Sequence, residues 1–135
     1  MKRRFFVFCL LVLTMPCAFA APSADDAVAA GKTWLNLIDA GDYAGSWKGA
    51  AAFFQQGISQ ARWEKMVKSI RENLGPLQSR EYDAAELTKT LPGVPDGDYA
   101  IVRFRSIFEH KAQGSETVTL ILEKGHWKAA GYFIK

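Results

Sequence analysis

The densest run of residues able to do chemistry is LPGVPDGDYAIVRFRSIFEHK, residues 91–111. Asp96 and Asp98 bracket Gly97, and Arg103 and Arg105 follow. A phosphate cradle would need its glycines to open onto a helix N-terminus. Here the run feeds an alternating segment, and no Gly-Lys-Ser/Thr follows. A calcium loop would need oxygen ligands at fixed spacing that end in a bidentate glutamate. After Asp98 the next carboxylate is Glu109, which is too far along. Proline fixes φ and Asp-Gly accepts positive φ, the chemistry of a tight connection. The run reads as a turn between strands.

His110 and His126 are the only histidines, and neither belongs to a His-x-His or His-Glu-x-x-His pattern. They read as solvated residues beside turns, so no metal is expected. The serines lack a nucleophile-elbow setting, and His126 has no evident nucleophile to activate. Arg71, Arg80 and Glu116 form a further group. Arg71 falls near the end of a helical stretch, where a cation suits the dipole. Arg80 can pair with Glu116 across strands, as a structural ion pair first and an anion pocket second. Arg103 and Arg105 share the strand face opposite Phe104, which places them in water or in a sheet-face dimer with Ile101, Ile107 and Ile121.

Before asking what positions these groups, the chain's address bounds the choice. Lys2, Arg3 and Arg4 precede an apolar run over residues 5–13, and Ala18-Phe19-Ala20 offers a small-x-small cleavage pattern. Residues 1–20 therefore read as an export signal, with residues 21–135 as one domain. The alternative is lipid attachment at Cys17. Met15-Pro16 stand where small residues would be wanted, which favours a soluble product that leaves the membrane after cleavage. Lys2, Arg3 and Arg4 also distort the charge: without those three, the 17 basic residues become 14 and equal the 14 acidic ones. Net charge then gives no reason to expect nucleic acid. Both cysteines, Cys9 and Cys17, lie in the signal, so thiol chemistry and disulfides are excluded from the remainder. The signal does not distinguish periplasm from full secretion.

The elements follow from periodicity. Ser23 caps a first helix, with Asp26 three residues on; Ala27, Gly31, Trp34 and Ile38 fall on one face, and Gly41 ends it. Asp42 caps a second helix on which Tyr43, Trp47, Ala50 and Phe54 share a face, with Gly45 and Gly49 allowing close helix packing. Ser59 caps a third, whose buried stripe is Trp63, Met66, Val67, Ile70 and Leu74, and Gly75-Pro76 stop it. Beyond Pro76 the period becomes two. A ragged strand is expected over residues 77–91, with a bulge or break at Ala84-Ala85. A cleaner one covers 99–109, a hairpin loop 111–115, and two more strands 116–124 and 126–134. Ala100, Val102, Phe104, Phe108, Val118, Leu120 and Leu122 are read as facing the helices, while Tyr99 faces away. The expected class is α+β: three N-terminal helices on a four-stranded antiparallel sheet.

Blocks along nearly the whole exported part carry a resemblance. WLNLIDAGDYAGSW, LGPLQSR, LPGVPDGDYAIVRF, SIFEHK and ETVTLILEKGHWKAAGYFIK together resemble the DUF4019 family of small exported bacterial proteins. The helix–sheet order resembles nuclear transport factor 2-like and cystatin-like folds, which implies a curved sheet. In folds of that type the space between helices and sheet can be a conical pocket that hosts isomerase or dehydratase chemistry. Such chemistry needs a buried carboxylate or histidine. None of the helix-facing residues named above can move a proton, and Asp39 and Asp42 are the nearest carboxylates. The reading favoured is a non-enzymatic binding module without a cofactor. Its partner is a small apolar ligand or an envelope protein, and Tyr43, Trp47, Arg80 and Phe104 are its binding residues. An isomerase or dehydratase and a sheet-face homodimer are the alternatives.

Overall fold

The computed structural model describes residues 20–135. The expected export signal and both cysteines thus lie outside the described residues, apart from Ala20. The first helix, α1 (Ala24–Asp39), starts as expected: Ser23 Oγ accepts from the Asp26 N–H, and Gly41 leaves it with φ +76°. Asp42 caps α2 (Tyr43–Lys48) by accepting from the Gly45 N–H at 2.9 Å. The glycine there serves the cap, since a Cβ on Gly45 would lie 2.2 Å from Asp42 Oδ2. Close helix packing is therefore not what Gly45 is for.

The expected second helix is two. Gly49 closes α2, and α3 (Ala52–Gly57) begins after an extended Ala51. The sheet causes the break. Ala51 donates its N–H to the Ala129 carbonyl at 2.8 Å, and Ala52 donates to the Glu123 carboxylate at 3.0 Å. Ala50 and Ala51 are buried where the chain leaves one helix for the other.

Ser59 caps α4 (Gln60–Leu74), and Gly75 ends it at φ +73°. Its buried line is Trp63, Val67 and Arg71, spaced four apart. Met66 and Ile70, expected inside, are exposed instead. The reason is that α4 packs mainly on α2, whereas α1 crosses all four strands, so only a narrow stripe of α4 is covered.

The sheet is an antiparallel meander in the order β1-β2-β3-β4, and it is not closed. Its strands are β1 (Leu77–Thr88), β2 (Tyr99–Phe108), β3 (Lys111–Glu123) and β4 (His126–Ile134). Residues 91–98 connect β1 to β2 as a turn, held by Gly97 N–H to Lys89 O at 3.0 Å and by a Lys89–Asp98 ion pair. Tyr99 was expected to face water. It is buried because its hydroxyl reaches back to the Pro95 carbonyl at 2.6 Å and the turn folds over it. The first strand ends at Thr88, and its bulge falls at Asp83, between Tyr82 and Ala84. The expected loop over residues 111–115 is strand. Glu109 and His110 make the turn alone, tied to the end of α4 by His110 N–H to Leu74 O at 2.9 Å. Gly114 permits this, because a Cβ there would lie 2.8 Å from the Ser106 carbonyl.

Between the layers, Ala27, Trp34, Leu35 and Ile38 of α1 pack on Ala100, Val102, Phe104, Val118 and Leu120. Trp34 and Trp63 lie 6.0 Å apart, and Phe54 meets Trp63 edge-on at 4.9 Å. Ser46 ties three helices together: its carbonyl accepts from Trp34 Nε1 at 2.8 Å and its hydroxyl from Trp63 Nε1 at 2.9 Å.

Candidate functional site

Two features could carry function: a buried polar network at one end of the core, and a groove beside it. The network begins at Glu116, on the helix-facing side of β3 and fully buried. Parity puts it there. Glu116 stands opposite Phe104 in the register, two residues before Val118 on the same face. Ser106 shares that face and is buried as well. The expectation that no helix-facing strand residue can move a proton is therefore overturned.

A buried carboxylate is tolerable only when its oxygens are occupied. Arg80 Nε donates to Glu116 Oε1 at 2.7 Å and Arg80 Nη2 to Oε2 at 3.1 Å, a bidentate pair reaching from β1 to β3. Ser106 Oγ donates to Oε1 and the Tyr132 hydroxyl to Oε2. The other side of Arg80 meets Asp39, at the end of α1, at 2.7 and 3.1 Å. Arg71 Nη2 joins the same carboxylate at 2.8 Å, and its guanidinium carbon sits 5.0 Å from the Phe108 ring centroid. Two guanidinium cations thus face two carboxylates. Charge is balanced within the network.

These contacts shift the titrating groups. Burial alone would raise the Asp39 carboxyl, but hydrogen bonds from Arg80 and then Arg71 outweigh it and hold the group below its ordinary value. Burial, followed by the Glu116 charge and hydrogen bond, pushes the Tyr132 phenol well above its ordinary value. Burial works against the Arg80 cation, yet its bonds to Asp39 and Glu116 raise it further. All three shifts favour the protonation states that keep the network closed.

The groove runs between α4 and β4. Its floor includes Trp63, Val67 and Tyr132, and its α4 rim carries Met66 and Ile70. The cavity is about 420 Å³. Met66 and Ile70 are 43% and 42% exposed, two large apolar side chains along the α4 rim, whereas Phe133, paired with Thr117, turns its ring to the outer sheet face. Lys111 and Lys135 stand at its edge, and among the described residues no carboxylate side chain lines it. Tyr132 belongs to both features: its hydroxyl ends the network, and its body lines the groove.

A family model described as "protein of unknown function (DUF4019)" matches residues 30–132. The chain belongs to the DUF4019 family. No curated protein and no solved structure matches it. The region shared with DUF4019 takes in every member of the network, from Asp39 through Arg71, Arg80 and Glu116 to Tyr132. It also includes all of α4, while Phe133 to Lys135 fall just past it.

Within this DUF4019 chain the residues expected to bind a ligand do not surround one cavity. Phe104 is wholly enclosed by the core. Trp47 is half-buried, with Nε1 fixed to the Ile58 carbonyl at 2.8 Å. Tyr43 lines an open cleft with Ile38, Asp39, Arg71 and Glu72. Arg80 is in the network, paired with Glu116 as its sequence position suggested. Asp42 is a helix cap, and Asp39 is held by two arginines. Arg103 and Arg105 lie on the outer sheet face, where Arg105 approaches Asp83 at 3.7 Å. His110 and His126 are exposed. No cluster of metal-ligating side chains occurs among the described residues. Sequence reasoning missed Ser106, Tyr132 and the inward turn of Glu116. Counting by twos back from Val118 would have found Glu116.

Proposed function

We propose that this chain is an exported, non-enzymatic binding module of the bacterial envelope that docks another protein along the groove between α4 and β4. The observation that carries this reading is the exposure of Met66 and Ile70 beside one apolar groove floored by Trp63, Val67 and Tyr132. Burying such side chains against a partner stabilises a complex by about 1.5–3 kcal/mol each when fully covered. The helix–sheet space is filled by Trp34, Phe104 and their neighbours, which favours a protein partner over a small apolar ligand. The layer order supports a nuclear transport factor 2-like or cystatin-like arrangement. Among the described residues no helix is long and apolar enough to cross a membrane.

Acid–base catalysis has one observation on its side, the buried carboxylate of Glu116 beside Tyr132 and Ser106. Against it, both Glu116 oxygens already accept two bonds each from protein groups. A substrate would have to break them, so the binding reading stands ahead.

Site-specific photocross-linking in the envelope tests the proposal. A photoreactive residue in place of Ile70 should capture a discrete protein, while the same residue in place of Arg103 should not. Equal capture from both positions, or none from Ile70, would defeat it.

A further inference from the structure

The β4 edge beside the groove carries free backbone groups. Ser115 and Lys135 exchange both backbone hydrogen bonds, at 3.1 and 2.9 Å. In an antiparallel ladder such pairs alternate with pairs whose N–H and C=O turn outward. The register Thr117↔Phe133 and Thr119↔Gly131 continues the inward set. The N–H and C=O of Tyr132 and Ile134 therefore point off the sheet edge. Further up the strand the edge is already used, since the Ala129 carbonyl accepts from Ala51. Between these two regions lies the bulge at Ala130, where the register shifts. The free stretch is short, and it coincides with the groove, which Tyr132 and Ile134 line from the helix-facing side of β4.

We propose that the groove's occupant is a short extended segment of another protein, added to β4 as a fifth strand. The inference rests on the groove being a protein-docking site, as read above, and names the chemistry of what docks. Main-chain bonds to Tyr132 and Ile134 supply affinity, and alternate side chains supply choice. Every second side chain of such a segment points toward the groove, where Trp63, Met66 and Ile70 offer apolar contact. Lys111 and Lys135 are the charged side chains of the lining, so the segment carries Asp or Glu at that end. Arg62, exposed and one helical turn before Met66, continues the basic character along α4.

Other occupants fit less well. A small apolar molecule leaves the Tyr132 and Ile134 backbone groups unpaired once it displaces water. A second copy would have to bring its whole sheet edge past α4, into a groove of about 420 Å³. That space suits one strand.

The test is selection of displayed random peptides on the full chain, followed by hydrogen exchange with the selected peptides bound. The expected peptides alternate apolar residues and carry an acidic end. They should slow exchange at the Tyr132 and Ile134 amides, and lose affinity by roughly tenfold or more when Lys111 and Lys135 are both changed to Glu. Methylating alternate backbone nitrogens of the peptide should have a similar effect. Peptides that need Ile70, shown by loss with Ile70→Asp, yet leave exchange at Tyr132 and Ile134 unchanged would overturn strand addition while leaving the docking groove intact. Peptides indifferent to Ile70→Asp, or no selected peptides at all, would overturn both readings. Concentration-dependent dimers with those two amides protected in the unliganded protein would assign the edge to a second copy and overturn the proposal.

Discussion

Arg80 reaches across the β-sheet to Glu116, with its Nε 2.7 Å from Oε1, bridging β1 and β3 over the intervening strand β2. This pair joins the sheet to the end of α1, because the same guanidinium also holds Asp39. The two cations and two carboxylates at this end of the core are each other's counter-ions.

Removing one partner should therefore cost far more than removing both. Arg80→Met leaves Glu116 charged and buried, and is expected to destabilise the fold by about 3–5 kcal/mol. Combining it with Glu116→Leu should recover a large part of that loss. Urea unfolding of the single and double variants measures the coupling. Additive losses would mean that the two side chains do not act as a unit.

The same network sets a pH window. Asp39 titrates below its ordinary value of 3.8 in the folded state. Its contribution is present above that value and is lost as pH falls through the lower folded one. Tyr132 titrates above its ordinary 10.0, so its contribution is full below pH 10.0 and is lost as pH rises beyond it. Urea midpoints across pH should fall at both ends. Asp39→Asn should flatten the acid side, and Tyr132→Phe the alkaline side. Unchanged slopes in these variants would place the titrations elsewhere.

Ser46 is a third point of leverage. Its hydroxyl accepts the Trp63 indole N–H at 2.9 Å and donates to the Tyr43 carbonyl at 2.7 Å, all in the interior. Ser46→Ala leaves the indole without a partner and is expected to cost about 1–3 kcal/mol. A thermal melt compared with that of Ser69→Ala, an exposed serine on α4, checks it. Equal melts would contradict the role given to Ser46.

Local signals made much of the architecture legible. Ser23, Asp42 and Ser59 cap helices as their spacing suggested, because capping depends on neighbours a few residues away. The switch to a period of two past Pro76 located the sheet. What stayed hidden depends on long-range partners. The break between α2 and α3 comes from Ala51 bonding to Ala129 on β4, 78 positions later in the register of the chain. The exposure of Met66 and Ile70 follows from how α4 leans on α2, which periodicity alone cannot fix. Glu116 is a different case. Its parity was readable, but a charged residue at the start of an apolar alternation looks like a solvated strand end until Arg80, Ser106 and Tyr132 converge on it. Of the candidate binding residues, the sequence marked Arg80 and its partner, whereas the groove became visible only once α4 and β4 were side by side.

Binding and stability are separable in the groove. Met66 and Ile70 already contact water, so replacing either with a polar residue should change stability by roughly 0.5 kcal/mol or less. The decisive measurement is co-purification from the envelope of cells producing the full chain or its Ile70→Asp variant, with thermal melts of both. A discrete protein partner should be lost with Ile70→Asp while the melt is unchanged, and retained with Arg103→Asp on the outer sheet face. A partner retained by Ile70→Asp, or lost equally with Arg103→Asp, would contradict docking in the groove.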